Sequence, residues 1–383
     1  ATSLLTDVVA PSHLQSYMWR STDGGATWSH IGLPLTPGIG PRSIGPGFGD
    51  PDLAVAANNR VWFTDLEALT QASVSWSDDD GATWILGNPV ASGAPIDRQW
   101  LAASGNTAYF TGNYLMGPRQ TLKSDNGLVW QKLGTNGCSN NVVPGDMVAS
   151  PLDGTLYIGC GPGVARSTTG ASWSSRMVPG HSTNTFIAMA EPAVDSAGNV
   201  WIAWQEGWNR LWVAGSSNKG ETWPWVYDLT PQVQAALGST QMNLVWPWVS
   251  AGSAGRIAVS AYATPTTGGP EAGPSTRQWD LATVAVFGAN TATPLKAGFI
   301  LTPNVHRGTI CQSGTTCQFN AIQGRADRRL GDFFETTIDK DGFLHAAYSE
   351  TTTFPGDWVS HPGYVRQTDG PRFVVDGYGP TQG

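Results

Sequence analysis

Acidic residues recur at one kind of position along this chain of 383 residues, just ahead of a short apolar hairpin. Asp50 (with Asp52), Asp97 (with Arg98), Asp146, Glu191 and Asp332 all stand there. Carboxylates brought to one place repel one another unless something positive sits among them. Such a set therefore predicts a compensating Arg98 or Arg329, a hard cation such as Ca²⁺, or protons held by raised pKa values. Asp50, Asp146 and Asp332 are the candidate ligands of a structural Ca²⁺, with no cofactor required, while Asp97 and Glu191 are candidate catalytic acids. The plain alternative is that each carboxylate caps amides of its own loop or pairs with a nearby arginine.

Other residue types point to sugar chemistry. Tyr348 and Glu350 are two apart on one expected strand, which sets a phenol and a carboxylate on the same face. His181, in the loop Pro179-Gly180-His181-Ser182-Thr183-Asn184 ahead of Glu191, is the histidine best placed for proton transfer, for which imidazole is the usual side chain near neutral pH. A base of that kind suits removal of the proton α to a uronate carboxylate. His345, by contrast, alternates along a strand and reads as packing or surface. Arg325, Arg328 and Arg329, with Arg98, are candidate bidentate grips for the carboxylate of an acidic sugar, or counter-charges for the acidic set. Trp208 and Trp246, together with Trp248, offer flat apolar faces on which sugar C–H groups stack.

These residues are far apart in sequence, so their chemistry depends on elements that bring them together. Six hairpins are expected, each with a turn of small or polar residues: Asp52 to Asp65, Gln99 to Tyr114, Met147 to Cys160, Ala193 to Gln205, Val249 to Tyr262 and Phe333 to Tyr348. Between them runs a repeat of the form Ser-x-Asp-x-Gly-x-Thr-Trp. It is near perfect at Ser21 to Trp28 and Ser77 to Trp84, has Asn for Asp at Ser216 to Trp223, and is worn at Ser124 to Trp130 and Ser167 to Trp173. Asp or Asn folds back on the turn amides, Gly supplies a positive φ, and the closing Trp packs beneath. Copies start 56, 47, 43 and 49 residues apart, the length of one four-stranded propeller blade.

The repeat resembles the Asp box, or BNR repeat, of β-propellers in the sialidase-like superfamily, and the likeness spans most of the chain. The resemblance implies an all-β, single β-propeller of four-stranded blades over residues 1–383, with the Asp-box turns on the bottom face and function on the top. Seven blades are favoured, the first abbreviated, with six as the alternative. Residues 302–329 are read as a disulfide-tied insertion between blades. Sialidases of this kind use a Tyr nucleophile activated by Glu, an Asp acid and an arginine triad, so the resemblance implies such roles for Tyr348, Glu350 and Asp97. The family's Phe/Tyr-Arg-Ile-Pro motif is replaced by Gly40-Pro41-Arg42-Ser43, a departure from the sialidase pattern.

Composition fits a secreted all-β protein: 47 Gly and 26 Pro, only 13% charged residues, and 18 Trp. A net charge of −8 without a basic stripe argues against a nucleic-acid partner and leaves polyanion binding only to a local arginine cluster. No apolar run approaches membrane-spanning length, and a chain that begins Ala-Thr-Ser fits a form whose signal peptide has been removed. Four cysteines are read as two disulfides, Cys138 with Cys160 and Cys311 with Cys317, in an oxidising compartment. The leading expectation is an extracellular carbohydrate-active enzyme, hydrolase or lyase, acting on an acidic oligo- or polysaccharide. Non-catalytic glycan or protein binding, and a structural or assembly role, are the alternatives; sequence does not fix the oligomeric state.

Overall fold

A computed structural model describes residues 2–6, 14–30, 47–67, 71–90, 95–114, 118–139, 142–182, 189–312, 326–353 and 360–375. The chain is almost entirely β. An N-terminal sheet holds β1 (Thr2–Thr6), β2 (Leu14–Arg20) and β3 (Ser29–His30). The first blade is β4 (Gly47–Val55), β5 (Val61–Glu67), β6 (Gln71–Ser77) and β7 (Ile85–Pro89). The second is β8 (Ile96–Ser104), β9 (Thr107–Tyr114), β10 (Gln120–Ser124) and β11 (Gln131–Thr135). The third is β12 (Met147–Ala149), β13 (Leu156–Gly159), β14 (Gly163–Ser167) and β15 (Ser174–Met177). The fourth is β16 (Glu191–Val194), β17 (Val200–Glu206), β18 (Arg210–Ser216) and β19 (Trp225–Asp228), followed by the short helix α1 (Thr230–Ala236). The fifth is β20 (Asn243–Ala251), β21 (Arg256–Thr264), β22 (Gln278–Phe287) and β23 (Leu295–Arg307), and the sixth is β24 (Glu335–Ile338), β25 (Leu344–Glu350) and β26 (His361–Arg366).

Every blade is an antiparallel meander, with its first strand innermost and touching the first strand of the next blade from β4 round to β24. The propeller has six blades, not the seven favoured from sequence. The N-terminal sheet has only three strands, of which β3 is two residues long, and it seals the seam where β1 lies against β4, β25 and β26. All six expected hairpins are present as the first two strands of their blades.

The five repeats all form the last turn of their sheets, the third turn in the four four-stranded blades and the second in the three-stranded N-terminal sheet. Asp79 accepts the Thr83 N–H at 2.8 Å and the Thr83 hydroxyl at 2.7 Å, Ser77 Oγ accepts the Gly81 N–H at 2.8 Å, and Trp84 Nε1 donates back to Gly81 at 3.1 Å. Asp23 and Thr27 repeat this geometry, and Asn218 substitutes its amide for the carboxylate against Thr222. In an antiparallel meander this turn lies at the same end as the first hairpin turn. The opposite end, where the inner strands begin, collects the acidic residues.

Trp62, Trp100, Trp201, Trp204 and Trp279 are fully buried and account for much of the packing within and between blades. The Cys138–Cys160 disulfide, Cα–Cα 5.3 Å, ties the connection from β11 to the end of β13. Cys311 is also disulfide-bonded, and Cys317 lies outside the described residues. β23 carries the chain through Arg307, so the segment 302–329 opens as strand. Beyond it Ile310 bridges to Asp327.

Candidate functional site

Three inner strands begin with a bulge whose central residue is left-handed: Asp50 at φ 53°, Arg98 at φ 50° and Trp246 at φ 55°. For residues with a Cβ that conformation costs about 1–2 kcal/mol each, and such strain gathers where side chains must be aimed. It turns Arg98 into a buried ion cluster. Arg98 Nη2 donates to Asp332 Oδ2 at 2.8 Å, Nη1 lies 3.4 Å from Asp97 Oδ2, and Arg328 Nη2 donates to Asp332 Oδ2 at 2.8 Å. Burial by itself would raise the Asp332 pKa, but Arg98 and Arg328 outweigh it and hold this carboxyl well below the usual range. Asp50 has the opposite fate. Burial, reinforced by Asp97 and Asp332, pushes it up to about 8 despite the two arginines.

The other carboxylates of the inner strands, Asp52, Asp146, Glu191 and Glu335, form no ion pair with a described arginine or lysine. Asp52 Oδ2 accepts the Leu101 N–H at 2.5 Å, and Glu191 Oε2 accepts the Asp146 N–H at 2.5 Å, so each laces one inner strand to its neighbour. Burial pushes Glu191 up to about 8 and Glu335 up to about 7. It also raises Asp52 and Asp146 well above the carboxylate range, with mutual repulsion adding to the rise. Glu191 and Glu335 therefore keep protons up to near-neutral pH, within a set of carboxyls that titrate together.

Along the axis runs a cavity of about 240 Å³, walled by Asp146, Glu335, Trp28, Trp248, His345 and Tyr364 among others. Glu335 is only half-buried in spite of its central position, because part of its surface faces this space. Near the repeat-turn end, His345 Nδ1 meets the Tyr364 hydroxyl at 2.5 Å and Nε2 meets Asp339 Oδ2 at 2.9 Å. His345 thus links Tyr364 and Asp339 by hydrogen bonds on the cavity wall.

The expected catalytic set does not converge. Glu350 Oε2 is taken up by the N–H groups of Thr352 and Thr353 at 2.9 and 3.0 Å, and the Tyr348 hydroxyl points at Thr302 Oγ1, 3.5 Å away. The Tyr–Glu pair that the resemblance implies is not formed. His181 lies in another blade, with Nδ1 2.8 Å from Glu206 Oε1 and its ring edge-on to Trp204 and Trp212. Asp97 belongs to the arginine cluster and Glu191 to the quartet. No group of three or more His, Cys, Asp or Glu among the described residues is arranged to hold a metal ion, and Asp50, Asp146 and Asp332 are divided between the two clusters.

The candidate binding residues are largely committed elsewhere. Arg329 grips Asp327 through Nε at 2.9–3.0 Å, Arg328 and Arg98 share Asp332, and Arg325 lies outside the described residues. Trp246 is 4% exposed, edge-on to Tyr262 at 5.8 Å, and so is core and not a sugar platform. Trp208 is half-buried in the turn between β17 and β18, where its carbonyl accepts the Leu244 N–H at 2.7 Å.

Sequence reasoning missed Glu335 and Tyr364. Glu335 sits three residues beyond Asp332, and the first Asp in that stretch drew attention. A count of strand positions back from the Asp341-Gly342 turn would have found it.

The chain matches no family model and no curated protein. Solved structures do resemble it. The NanB sialidase of Streptococcus pneumoniae shares 11% identity over 88% of this chain and 70% of its own, with a TM-score of 0.50. Hydrazine synthase of Kuenenia stuttgartiensis shares 13% over 82% and 80%, also at 0.50. A Trypanosoma rangeli sialidase shares 14% over 82% of this chain at 0.42, and the chain spans about half of its length, 54%. At such identities the likeness is one of fold, and the fold carries unrelated activities.

Proposed function

We propose that this protein is an extracellular carbohydrate-active propeller that hydrolyses a glycosidic bond in the axial cavity. The observation that supports the reading is that Glu335 and Asp146, from the sixth and third blades, wall one cavity and belong to a quartet of carboxyls that burial raises above the usual range. One carboxyl can then hold a proton while a neighbour is ionised, the division of labour that glycoside hydrolysis needs. Glu335 is the acid: its proton goes to the glycosidic oxygen as the bond from that oxygen to the sugar carbon breaks. Water bonds to the sugar carbon, and its proton passes to the carboxylate of Asp146 or a quartet partner. Trp28 and Trp248 provide apolar faces for the ring.

A neutral sugar suits this geometry, since at Arg98, Arg328 or Arg329 a uronate or sialate carboxylate would have to displace Asp332 or Asp327. A cavity of this size is below that of drug-sized ligand sites and fits one ring, not a chain. The Cys138–Cys160 bond suits an oxidising compartment, and no described helix is long and apolar enough to cross a membrane. The test is reducing-sugar release from a panel of neutral and acidic oligosaccharides by the wild type, Glu335→Gln and Asp146→Asn. Activity lost in both variants while each remains folded supports the reading; activity unaffected by either removes it.

A second reading, a non-catalytic glycan-binding propeller, is favoured by the commitment of the arginines to internal carboxylates. Saccharide binding by wild type and both variants alike, with no bond cleaved, would establish it.

A further inference from the structure

Beside the axial cavity lies a second one of about 210 Å³, in the seam between the sixth blade and the N-terminal sheet. Its walls include Trp19, Trp28, Phe333, Phe334, Tyr348 and Tyr364, and among the described residues Glu335 is the one carboxyl that lines it. The two cavities share Glu335, Trp28, Ala347 and Tyr364. The register explains the junction: Glu335 faces Ala347 across β24 and β25, and Ala347 faces Tyr364 across β25 and β26, so the three stand in a row on one face of the sheet. The middle position carries only a methyl group. A hollow is left there between a carboxyl on one side and a phenol ring on the other.

We propose that the seam cavity is a leaving-group subsite for an aromatic or similarly apolar aglycone, so that the substrate class is an aryl or alkyl glycoside with its sugar in the axial cavity. This rests on the hydrolase reading given above. The division follows from the walls: the axial space adds carboxyls, hydroxyls and an imidazole to its mainly aliphatic lining, whereas aromatic rings dominate the seam. A glycoside lying through the hollow over Ala347 has its linking oxygen beside Glu335. The bond from that oxygen to the sugar carbon breaks, the oxygen departs with the Glu335 proton as a phenol or alcohol, and water supplies the hydroxyl of the released sugar. Flat rings bury well between Trp28, Phe333 and Tyr364 while the polar end stays at the junction.

The experiment uses the full chain, with benzyl alcohol as probe of the seam and paired phenyl and methyl glycosides of common neutral hexoses as substrates. Saturation-transfer NMR is expected to show benzyl alcohol bound to wild type and not to Ala347→Leu, whose larger side chain fills the hollow. Tyr348→Ala, on the half-buried wall, is expected to weaken that binding without blocking the junction. Phenyl glycosides should be cleaved with kcat/KM about ten-fold above their methyl counterparts, a preference that Ala347→Leu abolishes. Benzyl alcohol that fails to bind wild type, or binds both variants as well as wild type, overturns the assignment of the seam. Binding that depends on Ala347 and Tyr348 with no glycoside cleaved supports the seam as an aromatic-ligand site and removes only the hydrolase reading.

Discussion

The Arg98 guanidinium and the Asp332 carboxylate, 234 residues apart in the chain, meet at 2.8 Å with almost no exposure to solvent. Arg98 comes from the second blade and Asp332 from the run into the sixth, so the pair is a tie across the hub. Breaking a buried pair leaves the partner's charge without compensation, at about 3–5 kcal/mol. Asp332→Asn should cost at least as much as Arg98→Met, because it leaves both Arg98 and Arg328 unneutralised. Urea unfolding of the two single variants and the double variant measures this, and coupling between them should be large. If Arg98 were instead a substrate grip, Arg98→Met would change KM and leave stability nearly intact.

The shared protons of the hub set a pH dependence. Asp50 and Glu191 at about 8 and Glu335 at about 7 lie above their unfolded values, so the folded state binds more protons over that interval. Their stabilising contribution is complete below about pH 4 and is lost as pH rises through the folded values. Thermal melts should therefore show Tm falling from pH 5 to pH 8.5. Replacing Glu335 by Gln should flatten the part of that fall near pH 7. A Tm that rises steadily over the range would contradict a protonated hub.

The blades were legible because their signals are local. A turn that needs Ser, Asp, Gly, Thr and Trp at fixed offsets writes itself into consecutive residues, as at Ser77 to Trp84, and the six hairpins follow from apolar runs broken by turn residues. The acidic hub was legible as a set, since Asp50, Asp97, Asp146, Glu191 and Asp332 all open inner strands. What did not show was which carboxyl meets which partner. Asp332 turns to two arginines from the loop ahead of β24, while Glu335, three positions on, is the first residue of that strand and lines the axial cavity, a distinction made by where the strand begins and not by residue type. Tyr348 and Glu350 look like a functional pair in one dimension, but Glu350 caps its own loop. Tyr364 and His345 acquire their relationship only through the register of β25 and β26.

The repeated turns carry their own electrostatic signature. Hydrogen bonds from the Thr83 hydroxyl, the Thr83 N–H and Ser77 draw Asp79 down to about 2, and Thr27 and Ser21 do the same for Asp23. A lowered carboxyl stabilises above its unfolded pKa and ceases to do so as pH falls through the folded one. Asp79→Ala should thus lower Tm at pH 6, with the deficit shrinking towards pH 2 as the wild-type carboxyl is protonated. Asp78→Ala is the control on the same turn. Its partner is Arg60, through Nη2 at 2.8 Å, and its effect should weaken with added salt.

The seam between the N-terminal sheet and the last blade is closed by Tyr364, which packs edge-on to Trp28 at 4.7 Å while His345 holds its hydroxyl. Gly25 lies against that hydroxyl: a Cβ on Gly25 would sit 2.0 Å from the Tyr364 oxygen, and its φ of 87° disfavours any side chain. Gly105 has a similar backbone, φ 58°, with open space beside it. Gly105→Ala should cost about 1–2 kcal/mol, the price of a left-handed residue with a Cβ. Gly25→Ala should cost more, because it also drives Tyr364 off His345. Combining Gly25→Ala with Tyr364→Phe removes the clashing oxygen and should recover part of the loss, although the Tyr364 hydrogen bond is then gone. Thermal melts of the three variants and the wild type, followed by Trp fluorescence, decide the matter. Equal losses for Gly25→Ala and Gly105→Ala would mean that Tyr364 does not close the seam.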